Sequence, residues 1–303
     1  KSMNASDLND LKAAGKRAAE IVIGAHPVQR GRVAIAPFAS GVNAGDFGNK
    51  ASGRVSGADP EGDNSVKPSA WIERVCVTER TGSEAFTDAA PVFGDTVGDP
   101  LTYDDILDLV RLTGDPYNPS EAGCPDSPVH PLDEDLSAVK TAIDDLQSST
   151  IANRIGGNTA GHLGIAWSWY LISPRWSAVW TDPIYGGNSA SAPLPYGDPD
   201  RPKIAILMTD GLFQYGFRHP FFSYDYTTQV DSVNDAARQL CANMRAEGIL
   251  IYAIGLGINA QARGVLEDCT DASERVFTTT NSTELTSIYE EIAREFLGIG
   301  IVE

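Results

Sequence analysis

The run Ile204-Ala-Ile-Leu-Met208, broken off by Thr209-Asp210-Gly211, limits what this chain can fold into more than any other stretch. It has no polar alternation, so it reads as a strand buried on both faces, the environment of a parallel sheet covered by helices. Such a strand ends at the carboxyl edge of its sheet, where open α/β folds bind their ligands. Asp210 therefore stands where a ligand would be met. The competing reading is a turn-forming Asp-Gly pair.

The rest of the chain alternates helices with buried strands. Ser6 or Asp7 can cap a first helix with Leu8, Leu11, Gly15, Ala18 and Val22 on one side, ended by Gly24 and Pro27. A strand follows over 32–38, with Pro37 suiting an edge. Residues 41–131 are rich in Gly, Asp, Pro and Ser and read as a long insertion, with strand-like 71–79 and a short helix near 103–112. A structureless loop of that length is improbable, so the insertion should carry order of its own. Helices are then expected over 132–146 and 160–172, and a second surface loop over 184–202. Val230, Val233, Ala237, Leu240, Cys241 and Met244 mark the inner side of a further helix, followed by a strand over 249–256. A short helix over 259–268, a strand over 275–279 and a helix opened by Asn281 and Glu284 as a capping box complete the chain. The pattern implies one α/β domain over 1–303: a mostly parallel sheet with helices on both faces and a loop-rich insertion.

Composition narrows the function. With 41 acidic against 23 basic residues the net charge is −18, which argues against nucleic acid or an anionic membrane surface as partner. No apolar run approaches the roughly 20 residues that span a bilayer. No G-x-G-x-x-G, P-loop, G-x-S-x-G or H-E-x-x-H occurs, so the chain does not read as an enzyme. Cys76, Cys124, Cys241 and Cys269 are too far apart for a zinc knuckle. Their even number suits two disulfides, with 76–124 and 241–269 preferred and the two other connectivities open. Such bonds would imply an oxidising compartment.

Three loops should meet at the carboxyl edge, and each offers oxygen donors: Thr209-Asp210-Gly211, Asn158-Thr159 at a helix start, and Ser2 ahead of the first helix. Hydroxyls with one carboxylate suit a hard divalent cation that keeps an open position for a partner's acidic side chain. Thr159 is also a natural helix N-cap, and the two roles can coexist. Tyr215, Phe217, Phe221 and Phe222 follow the Asp-Gly turn and would form an apolar partner-binding surface beside that site. Trp167, Trp169, Tyr170 and Trp176 read instead as core.

This arrangement resembles a von Willebrand factor A-type domain and its metal-ion-dependent adhesion site, which joins Asp-x-Ser-x-Ser, a Thr and an Asp from three loops. Thr159 and Asp210 match the second and third elements, and Lys1-Ser2-Met3 looks like the tail of the first. More narrowly, Val33-Ala-Ile-Ala-Pro-Phe38, Cys76-Val-Thr-Glu-Arg-Thr-Gly82, Gly156-Gly-Asn-Thr-Ala-Gly-His-Leu-Gly-Ile-Ala-Trp167 and Lys203-Ile-Ala-Ile-Leu-Met-Thr-Asp-Gly211 resemble TadG-like proteins of bacterial tight-adherence (Flp) pili. The resemblance implies a Mg2+ or Ca2+ site at Ser2, Thr159 and Asp210, and a protein partner in a pilus or surface assembly, a second copy of the chain included. It also implies a bacterial periplasmic or cell-surface location, with an N-terminal anchor outside this sequence. The motif's Asp and first Ser are not in the chain, so the cation should bind weakly. A structural role with a vestigial metal site is the alternative. The resemblance further implies a central first strand, supplied by residues before Lys1 or by another chain.

Overall fold

The computed structural model describes residues 3–24, 31–39, 41–51, 76–77, 80, 84–91, 125–147, 159–211, 213 and 226–299. In chain order these form α1 (Ala5–Gly24), β1 (Val33–Ile35), β2 (Val42–Asn43), α2 (Gly48–Ala51), β3 (Cys76–Val77), β4 (His130–Asp133), α3 (Leu136–Asp144) and α4 (Gly161–Ile172). They continue with α5 (Ser177–Trp180), β5 (Ile204–Thr209), α6 (Tyr226–Ala246), β6 (Leu250–Leu256), α7 (Ala260–Thr270), β7 (Val276–Thr279) and α8 (Leu285–Ile299).

The apolar runs make the parallel sheet. β5 pairs with β6 from Ile204 opposite Leu250 to Thr209 opposite Gly255, and β6 pairs with β7 on its other side. A parallel pair needs a crossover, which α6 and α7 provide. β6 is the middle strand, buried from Ile251 to Leu256. Its side chains alternate between two cores. Ile251 and Ala253 join Ala205 and Leu207 under α4, α6 and α7. Tyr252, Ile254 and Leu256 join Ile204, Ile206 and Met208 against α1 and α8. Helices thus cover both faces, which is why these strands carry apolar residues without alternation. Cys241 of α6 and Cys269 of α7 are joined by a disulfide. The expected Cys76–Cys124 bond lies outside the described residues. Among the described residues no helix is long and apolar enough to cross a membrane.

Several local expectations need correction. The helix expected from Leu132 starts only at Leu136, because Asp135 caps it by accepting from the Ser137 and Ala138 amides. The preceding residues, His130–Asp133, form β4 and pair antiparallel with β1, so the strand expected at 32–38 lies in a two-stranded ribbon outside the parallel sheet. Pro131 can sit there because an edge strand leaves one side unbonded. Asn4, not Ser6 or Asp7, caps α1, its Oδ1 accepting from the Ser6 and Asp7 amides. Asn281 accepts from the Thr283 amide, but Glu284 takes the Thr279 hydroxyl, so only half of the capping box forms.

The described part of the insertion is ordered. β2 pairs with β3, and the buried Asn43 side chain donates to the Pro125 and Asp126 carbonyls. Residues 84–91 are stitched to the body through Asn243 Nδ2, which donates to Phe86 O, and Trp176 Nε1, which donates to Ala89 O.

Candidate functional site

α4 is apolar and buried over its whole first turn and beyond, so both strands and helices press on it. Two glycines one turn apart make this possible. A Cβ on Gly161 would lie 1.9 Å from the Phe213 ring, and one on Gly164 would lie 2.4 Å from Phe38. Phe213 follows β5 and Phe38 follows β1, so the carboxyl ends of both strands converge on the N-terminal end of α4. The Ala160 amide donates to Ala39 O at 2.7 Å and locks that convergence.

Thr159 and Asp210 sit on this rim, both partly buried. Thr159 directly precedes Ala160, which is the N-cap of α4 and makes no side-chain cap bond. Thr159 is therefore not the N-cap. Asp210 lies in a turn fixed by Thr209, whose buried hydroxyl donates to Gly211 O and accepts from the Gly211 amide. The turn reading of Thr209-Asp210-Gly211 thus holds alongside any ligand role. Ser2 and the aromatic residues Tyr215, Phe217, Phe221 and Phe222 lie outside the described residues. Trp167, Trp169, Tyr170 and Trp176 are core, none above 3% exposed, with the Tyr170 and Trp176 rings stacked at 4.1 Å.

A hydroxyl and a carboxylate are donor types that a hard divalent cation takes. They are few in number. Among the described residues no three His, Cys, Asp or Glu side chains converge as a metal-holding group.

A second polar centre lies toward the opposite end of α4, and sequence reasoning missed it. Asp88 is 2% exposed and accepts from Ser173 Oγ, Tyr196 Oη and the Arg175 guanidinium. Nothing in Phe86-Thr-Asp-Ala marks Asp88 as buried, and its partners are remote in sequence. Burial, with the Asp88 hydrogen bond second, pushes the Tyr196 hydroxyl well above its ordinary value. Lys203 donates to Ile172 O, the last carbonyl of α4, and lies over the Tyr196 ring. Burial, and after it the charge of Arg32, pushes Lys203 down to about 8. Arg32 itself is held by the Ala190 and Ala192 carbonyls. These bonds tether loops to the body.

No family model and no curated protein matches the chain. Among solved structures it is similar to proximal thread matrix protein 1 from the mussel byssus, with 22% identity and a TM-score of 0.32 over 56% of this chain and 34% of that one. A second crystal form of that protein gives 21% and 0.31 over the same shares. The chain spans about a third of the length of the solved chains it matches. At these TM-scores the likeness carries no argument about fold or function.

Proposed function

We propose that this chain is a von Willebrand factor A-type protein-binding module, an extracytoplasmic component of a bacterial tight-adherence pilus or related surface assembly. In this reading Thr159 and Asp210, with Ser2, hold Mg2+ or Ca2+ at the carboxyl edge of the sheet. The observation that supports it is that the packing of Phe213 on Gly161 brings the end of β5, just before Asp210, to the start of α4, just after Thr159. One carboxylate leaves most of a divalent ion's charge uncompensated, so the ion attracts an acidic side chain of a partner protein. Tyr215, Phe217, Phe221 and Phe222 would supply apolar contact around it. The Cys241–Cys269 disulfide supports an oxidising, extracytoplasmic setting. The net charge of −18 disfavours nucleic acid and anionic lipid. Assignment to a pilus rests on the sequence resemblance. A purely structural surface component is the reading left if the rim takes no cation.

Thermal unfolding with and without added Mg2+ or Ca2+ tests the proposal. A cation at about ten times its Kd should stabilise the chain by about 1.4 kcal/mol. Chelation should reverse the shift, and Asp210→Ala should abolish it. A shift of equal size in Asp210→Ala, or no shift at millimolar cation, would overturn the metal site.

A further inference from the structure

Away from the rim of Thr159 and Asp210, two cations stand at the amino ends of two strands. Arg32 directly precedes β1 and Lys203 directly precedes β5, and both are partly buried. One short stretch of surface loop holds both. Ala190 O and Ala192 O accept from Arg32 Nη1 at 2.7 and 2.8 Å. Four residues after Ala192, the Tyr196 ring lies 5.1 Å from Lys203 Nζ. Four residues span at most about 14 Å, so the same piece of chain ties the two charged heads together. Their charges reach each other. Lys203 is held down first by burial and then by the charge of Arg32, and Arg32 first by burial and then by the charge of Arg201.

Among the described residues, no carboxylate forms an ion pair with Arg32, Arg201 or Lys203. On α1 and α3 the bases are matched instead: Lys16 with Asp144, Arg17 with Glu290, Lys140 with Glu20. With 41 acidic residues against 23 basic, carboxylates are plentiful, and a part-buried charge left unmatched is costly. The carboxylates whose charge reaches the pair are Glu134, acting on Arg32, and Asp88, acting on Lys203. Asp88 is already shared by Ser173, Tyr196 and Arg175. The donors left over suit an oxyanion. Nη1 of Arg32 carries two hydrogens, and the two carbonyls take both. What remains is the Nε–Nη2 edge, which grips two oxygens with parallel bonds and is not enclosed by protein. Lys203 gives one of its three hydrogens to Ile172 O and keeps two. Backbone carbonyls thus fix both heads without cancelling their charge.

We propose that Arg32 and Lys203, with the exposed Arg201 beside them, form a binding site for a single phosphate group, carried as the free ion or as a monoester. Charge favours phosphate over a carboxylate. Arg32, Arg201 and Lys203 against Glu134 leave two positive charges. A carboxylate cancels one of them, whereas a phosphate, at about −1.5 to −2 near pH 7, cancels both. Shape favours it too: a phosphate gives two oxygens to the Arg32 edge and a third to Lys203. The net charge of −18 repels a long polyanion. A small dianion feels mainly the charges within a Debye length, about 8 Å in physiological salt. This inference depends neither on a metal nor on the adhesion reading.

The test is a titration of the chain with inorganic phosphate and, separately, with glycerol phosphate at constant ionic strength, followed by the arginine Nε–H resonances and by the thermal midpoint. The resonance that is missing from Arg32→Gln should shift and saturate in the parent chain, and the midpoint should rise. Acetate at the same concentration should do neither. Arg32→Gln and Lys203→Met should each weaken phosphate binding at least about tenfold, the loss of a charge-assisted contact. Arg201 is exposed, so Arg201→Gln should fold whatever happens to the other two, and it should weaken binding about threefold. Tighter binding of glycerol phosphate assigns the ligand to the monoesters and tighter binding of inorganic phosphate to the free ion; either supports the site. The proposal is overturned if the Arg32 resonance shows no saturable shift up to about 20 mM phosphate, or if the affinity is unchanged in every variant that folds. It is also overturned if acetate shifts that resonance as strongly as phosphate does, since the ligand would then be a carboxylate.

Discussion

Replacing Asp88 with Ala strips the enclosed hydroxyls of Ser173 and Tyr196 of their shared acceptor, and Arg175 of one of its two carboxylate partners. Buried donors left unsatisfied cost about 1–3 kcal/mol each. Arg175 remains partly solvated, so its share is small. Asp88→Ala should therefore lose about 2–4 kcal/mol in urea denaturation, and Asp88→Asn about half as much. A loss below about 0.5 kcal/mol, the range of ordinary surface changes, would mean that the network does not hold residues 84–91 in place. Lys203 makes a pH-dependent counterpart. Its folded value is pushed down to about 8, from the ordinary 10.5. Below pH 8 it is protonated folded or unfolded. Between 8 and 10.5 only the unfolded chain keeps the proton, so stability from this group rises with pH. Tyr196, pushed up by burial, works in the opposite direction above its ordinary value of 10: the unfolded chain loses that proton first, which lowers stability there. The useful window is therefore pH 8 to 10. Unfolding midpoints across it should rise less steeply in Lys203→Met than in the parent chain; parallel slopes would refute the assignment. Asp210 and Thr159 stand out in the sequence because each sits at the junction of two periodic patterns. Asp88 does not, because burial there is created by Ser173 and Tyr196, 85 and 108 residues away.

Among elements, α4 makes the most specific claim. Alanine is the better helix former by about 1 kcal/mol, so Gly161→Ala and Gly164→Ala would stabilise an isolated helix. Here each Cβ would enter an aromatic ring. Overpacking costs about 1–3 kcal/mol, and both substitutions should lower the thermal midpoint. A raised midpoint would show that the strand ends do not press on α4. The α6–α7 pair carries a second claim. Cys241 and Cys269 are 28 residues apart, both 0% exposed. Closing a loop of that length removes about 3–4 kcal/mol of unfolded-chain freedom. The Cys241→Ala, Cys269→Ala chain should lose about that much stability, and a loss under about 1 kcal/mol would mean that native strain offsets the cross-link. The same elements show what periodicity could reach. α4, β5 and β6 were readable within a few residues, since a helix or strand buried on both sides advertises itself by an unbroken apolar run, and α6 by the periodic spacing of its inner side. The stretch after Leu132 was misread because Leu136, Val139 and Ile143 extend a helical spacing backward over residues that pair with β1 instead.

At the scale of the whole molecule, helices on both faces of a parallel sheet were legible from alternation alone. The neighbours within the sheet were not. The stretch Val33–Ile35 reads like any other strand, and only its partner shows that it belongs to a separate ribbon. Pairing is long-range, and no local pattern reports it. The same holds for the central claim, that Thr159 and Asp210 share one rim and can share one cation. The most direct measurement is a crystal structure with Mn2+ replacing Mg2+, located by its anomalous signal. The account predicts one peak within about 2.0–2.6 Å of both the Asp210 carboxylate and the Thr159 hydroxyl or of waters bound to it. A peak elsewhere, or the two oxygens more than about 10 Å apart, beyond the reach of any shared ion, would contradict it.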